Sequence, residues 1–250
     1  MIGWFVVSIA LAGDGGDVVR EVAAGVEVNW TDLTLNASGI GGTGGTEGRK
    51  AIEQLARREV EVSMRQGSSR IQVTTHQTLR DLELLPELAD ALGSRVSRWV
   101  VTEARYYASG KVELDGQLSL QDLLKPYTLK TSVPMPARDI QPDFTGLVVD
   151  ARGRGVVPAW APRILGQDGE VLHAGGVWDE QAVTVSPVVY VSDPAHSRAR
   201  RAGDKPFIVV AESASGPDLV LSADDAGRFK EAMVGAAVLG EGTVVIVVDP

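Results

Sequence analysis

The chain has 250 residues, 44% of them hydrophobic and 23% charged, which places it among ordinary globular proteins with enough apolar material for one large domain or two small ones. Its 33 acidic residues against 24 basic ones leave a formal net charge of −9, which disfavours nucleic acid and anionic membrane surfaces as partners, since both reward clustered Lys and Arg. With no cysteine, these 250 residues hold no disulfide, thiolate metal site, Cys nucleophile or lipidated Cys.

Residues 2–12 are an apolar run ending in Ala10, Leu11 and Ala12, a small-x-small pattern that gives way at once to Gly13 and Asp14. This reads as the end of a secretory signal peptide over residues 1–12. No Lys or Arg precedes the run, and it is shorter than usual; a start codon placed too far downstream accounts for both. A buried first strand over 4–11 is the other reading. At about 11 residues the run is too short for a bilayer, which takes about 20.

Residues 26–36 read as one strand anchored by Val28, Trp30, Leu33 and Leu35, followed by a Gly-rich turn over 38–45. A helix is expected over 47–66, where Ile52, Leu55, Ala56, Val60 and Met64 recur three or four positions apart, with Gly67 as its left-handed cap. A strand over 71–75 and a second helical face from Leu79 to Leu92, interrupted by Pro86, come next. The plainest hairpin runs from 99–107 through Ser109 and Gly110 into 111–120, where Val112, Leu114, Leu118 and Leu120 alternate with polar neighbours.

Pro126, Pro134, Pro136 and Pro142 then mark a linker over 126–142, because each fixes its own φ and removes a backbone donor. Beyond it, strands are expected over 144–150, 183–191, 207–210 and 243–248, with an extended stretch over 156–165 and a turn at Gln167, Asp168 and Gly169. Ser222 with Asp224 and Asp225 reads as the capped, acidic start of a helix reaching about 238 and stopped by Gly240. Strands and helices mix without strict βαβ alternation, so the expected class is α+β, with one module over 13–125 and a second over 143–250.

Candidate chemistry is sparse. Gly39, Gly41 and Gly44 match GxGxxG between a strand and a helix, the context of a dinucleotide fingerprint, yet residues 71–76 carry no acid for a ribose and no run of βα units follows. A P-loop fails, since Arg49 stands where Lys is needed and Ala51 where Ser or Thr should hold magnesium. His76, His173 and His196 form no metal-ligand pair, and each reads as a surface or hydrogen-bonded residue. No Gly-x-Ser-x-Gly elbow is present. Asp150 and Arg152 share a strand face and read as an ion pair closing a turn at Gly153, while Arg198, Arg200 and Arg201 read as a solvated loop. No catalytic, cofactor-binding or metal residue is assigned, and no cofactor is expected.

Several stretches carry a resemblance. Asn29 to Thr31, Ala37 to Gly41, an Arg-containing helix and the hairpin from Ala104 to Leu114 resemble the N-terminal module of the LPP-twenty type of bacterial outer-membrane lipoproteins, a group with relatives in flagellar basal-body rings and disks. Residues 145–153 with 161–165, and the closing 205–210 and 244–249, are similar to the second half of longer members. The resemblance implies a noncatalytic protein of the periplasm or cell envelope that assembles with itself or with envelope proteins. The acylated Cys of such lipoproteins is missing, which implies a soluble form near the outer membrane. Open sheet edges offer a means of assembly, supplied by the 99–120 hairpin or the 243–248 strand. Two other readings stay open: a nucleotide binder or enzyme using the Gly39–Gly45 turn, and a periplasmic peptide- or glycan-binding module.

Overall fold

The computed structural model describes residues 15–42, 48–131, 144–174, 186–232 and 242–250, which form two sheets flanked by helices in an α+β arrangement of two modules. Residues 1–12, the end of the Gly-rich turn, Pro134, Pro136, Pro142, residues 183–185 and the expected helix end at 233–240 lie outside the described residues.

The first sheet is antiparallel, in the order β1 (Val19–Ala23), β2 (Val26–Asn29), β3 (Thr34–Gly41), β5 (Val112–Ser119), β4 (Val100–Tyr106). The single strand expected over 26–36 is thus two strands. Asn29 breaks it: its side-chain oxygen accepts from the backbone N–H groups of Thr31 and Asp32, each at 2.9 Å, and this Asx-type turn reverses the chain, with Leu33 at φ 59°. Residues 38–41 are part of β3 rather than a turn.

Helix α1 (Arg49–Ser68) crosses β3 and β5, burying Ile52, Ala56, Val60 and Met64 against them. The Cβ of a residue at Gly39 would stand 2.4 Å from the Ala56 carbonyl oxygen, and one at Gly41 would stand 2.0 Å from that of Ile52. Those two glycines are what lets the helix backbone lie directly on the strand. Gly67 is no left-handed cap but an internal helix residue whose missing side chain makes room for Val26; Ser69 caps the helix.

The strand expected over 71–75 is only a bridge between Gln72 and Thr78. Helices α2 (Leu79–Glu83) and α3 (Pro86–Val96) follow, the second starting on Pro86, where a missing N–H costs no helical bond. The expected linker begins instead as helix α4 (Leu120–Thr131), with Pro126 inside it. Proline leaves the carbonyl four residues back without its helical donor, and here that Asp122 carbonyl accepts from Arg95 Nη1 at 2.7 Å.

The second sheet runs β8 (Val171–Ala174), β7 (Arg163–Leu165), β11 (Asp218–Leu221), β10 (Pro206–Ser215), β6 (Gly146–Asp150), β12 (Val244–Val247), β9 (Val188–Val191). Its block β10, β6, β12 and β9 is parallel, and β9 and β12 are buried throughout, as continuous apolar strands covered on both faces must be. Helix α5 (Ala223–Ala232) starts at Ser222, whose hydroxyl accepts from Asp225 N–H at 3.1 Å.

Candidate interaction surfaces

The residues singled out for chemistry are scattered. His76 is exposed in the turn after Gln72. His196 packs beside Asp17, with Nε2 3.3 Å from its carboxylate, and accepts from Arg198 N–H through Nδ1. His173 is neither a surface residue nor fully hydrogen-bonded: it is 3% exposed on β8, its Nε2 finds no partner among the described residues, and burial pushes its pKa down to about 4. Among the described residues no three His, Asp or Glu side chains gather as metal ligands would.

Asp150 and Arg152 do pair, through two side-chain contacts of 2.9 and 2.5 Å, and this contact holds the Asp150 carboxyl below its ordinary range. The adjacent Gly153 N–H donates to Asp249, so the pair closes a turn onto the last strand. The three arginines expected in a solvated loop fall on a 3-10 turn, Ser197–Ala202, and of the three only the Arg200 side chain has no bonded partner among the described residues. Arg198 pairs with Asp32 of the first module at 2.9 Å. Arg201 is largely buried, donates to the Ser186 hydroxyl and carbonyl, and has its pKa lowered to about 10 by that burial.

Gly39 and Gly41 face α1 across a strand whose neighbours are both antiparallel, so their glycine requirement is met by helix packing. The parallel strand–turn–helix geometry that presents amides to a pyrophosphate is not built around these two positions.

What the polar residues do build is a seam between the modules. The backbone N–H groups of Trp160 and Ala161 donate to the carbonyls of Gln72 and Val73 at 3.0 and 2.8 Å. Thr31, at the tip of the Asn29 turn, donates to the Tyr190 carbonyl at 2.6 Å and accepts from Val18 N–H at 2.9 Å, while Trp30 meets the Tyr190 ring edge-on at 5.8 Å. Asp218 is 1% exposed and takes three bonds from Arg163 and one from Thr75 at 2.5 Å. Burial pushes that carboxyl up, but these donors outweigh it and leave the pKa lowered. Sequence reasoning missed the seam; Asn29 and Asp32 flanking Trp30 were the signal that a turn tip lies there.

At one side of the seam lies a groove of about 270 Å³ whose lining includes Arg20, Glu21, Trp30, Arg70, Gln72 and Pro158. Arg20 donates to the carbonyls of Val19 and Asp249, and Arg70 to that of Val22, so both guanidinium groups are spent on backbone oxygens rather than on carboxylates.

The sheet edges differ in how they are closed. Strand β12, one of the two edges expected from sequence, is interior: it pairs with β6 on one side and β9 on the other. The outer side of β9 is taken by the first module, through Tyr190 N–H to Trp30 O and Ser192 N–H to Gly16 O. Where β3 outruns β2, Glu59 accepts the N–H of Ile40. Strand β4 differs. It pairs with β5 alone, its other side meets no strand among the described residues, and Val100 and Tyr106 are 59% and 47% exposed.

Residues 146–250, which run from β6 to the end of the second module, match the family described as Treponema pallidum Tp0624, second domain. No curated protein matches the chain.

Proposed function

We propose that this chain is an exported, noncatalytic protein of the periplasm or cell envelope that assembles with copies of itself or with envelope partners, in the manner implied by its resemblance to LPP-twenty type lipoproteins and flagellar ring relatives. The observation that carries the reading is the side of β4 away from β5, which meets no strand among the described residues and leaves backbone groups open to another chain. Three of the more buried ionisable groups support it in a second way, because Asp218, His196 and Arg201 are engaged in ion pairs or hydrogen bonds within the fold. No helix among the described residues is long and apolar enough to cross a membrane.

Subcellular fractionation of the native host, with a cytosolic and a periplasmic marker, tests the reading. Recovery with the periplasmic or envelope marker is the expected result; recovery with the cytosolic marker rejects export.

A second reading, a periplasmic peptide- or glycan-binding module, is favoured by one feature, the groove between Arg20, Arg70 and Pro158.

A further inference from the structure

We propose that β4 pairs with β4 of a second copy of this chain, antiparallel and two-fold, with Ala104 of each copy facing the other across the axis; this rests on the assembly reading above. Three observations lead to it. The first is which backbone groups face outward. Tyr107 N–H donates to the Lys111 carbonyl at 3.0 Å, so position 107 points its backbone groups at β5. The register then continues 106 with 112, 105 with 113 and 104 with 114 without a break. In an antiparallel ladder the direction alternates, so Tyr106 and Ala104 present their N–H and C=O groups to the open side.

The second observation is charge. Arg105 lies within 2.7 Å of Glu103 and Asp115 and within 3.1 Å of Glu113, on the sheet face away from α1. A two-fold pairing centred on Ala104 sets Glu103 of one copy opposite Arg105 of the other, twice, on that same face. Centring on Arg105 instead sets Arg105 against itself, and like charges directly opposite are destabilising. Centring on Tyr106 runs the partner into the Ser109 and Gly110 turn and leaves the start of β4 unpaired. Charge and outward groups together select the register at Ala104.

The third observation is what bounds the contact. The register of β4 against β5 shifts between Val101 and Glu103, a bulge that ends regular pairing there. Ala104 is itself exposed and small, so two copies approach without a side chain in the way. Because the contact is isologous it closes on itself, giving one ten-stranded sheet from two five-stranded ones and no open-ended fibre. So short a ladder buries little area, and the pairing is therefore weak and concentration-dependent.

The absence of cysteine provides the test. In a hydrogen-bonded antiparallel pair the two Cα atoms sit about 5.5 Å apart, inside the range a disulfide spans. Purified full-length Ala104→Cys is oxidised under mild conditions beside Ser94→Cys, an exposed position on α3. The disulfide dimer is expected to become the main species for Ala104→Cys and to stay a minor one for Ser94→Cys. Adding Glu103→Arg, an exposed change, to Ala104→Cys is expected to abolish the cross-link while the circular dichroism spectrum stays that of the parent chain. Equal cross-linking at both cysteines, a free thiol at 104, or a cross-link indifferent to Glu103→Arg overturns the proposal. A cross-link at 104 in a protein that fractionates with the cytosol leaves the pairing standing and removes the envelope reading instead.

Discussion

His173 carries a buried side-chain nitrogen that finds no hydrogen-bond partner among the described residues. An unpaired imidazole nitrogen in the interior is tolerated only while neutral, and burial lowers the pKa from 6.5 to about 4. The sign of the consequence is fixed by linkage. Between those two values the unfolded chain binds a proton that the folded chain refuses, so stability is present above pH 6.5 and drains away as pH falls towards 4. The full swing is about 3 kcal/mol. Urea unfolding at pH 7 and pH 4.5 should show His173→Leu losing about 2 kcal/mol less than the parent chain on acidification. An equal loss in both would show that the imidazole is protonated, or reached by water, in the folded state.

At the scale of elements, α1 lies close on β3, and that approach depends on glycine. Gly39→Ala places a methyl group 2.4 Å from a backbone carbonyl oxygen, which no rotamer change relieves. The expected cost is about 1–3 kcal/mol, read as a lower denaturation midpoint. An unchanged midpoint would mean that α1 sits further from the sheet than this contact requires. The same contact explains what the sequence showed and what it hid. Helix α1 was legible because Ile52, Ala56, Val60 and Met64 repeat at helical spacing, and the β4–β5 hairpin because Val112, Leu114 and Leu118 alternate around a Ser-Gly turn. The role of Gly39 and Gly41 was not, because a glycine needed for close packing and one needed to approach a phosphate look alike in a string of letters. Strand β1, with Arg20 and Glu21 in a five-residue span, shows no alternation to read. Strand β11 was hidden because its buried Asp218 suits a strand only once Arg163 and Thr75 arrive from elsewhere in the chain.

At the scale of the whole molecule, two modules that look separable in sequence share one buried cluster that includes Trp30, Val73, Leu124, Trp160 and Tyr190. Proline density suggested a linker over 126–142, but the contacts that decide how the halves meet are long-range and polar: Thr31 with Tyr190, Thr75 with Asp218, Trp160 Nε1 with Thr128 at 3.1 Å. Local composition carries no trace of such pairs. The seam also consumes the outer side of β9, so of the two edges expected from sequence only the hairpin survives as a place for another chain to add.

Sedimentation velocity of the full chain over a wide concentration range tests the central claim most directly, namely that the protein works by joining other chains through an open edge. The account predicts a weight-average mass that rises with concentration towards that of a dimer, and that stays at the monomer value when Glu103 is replaced by Arg. A single monomeric boundary for the unmodified chain at the highest concentration reached would contradict it.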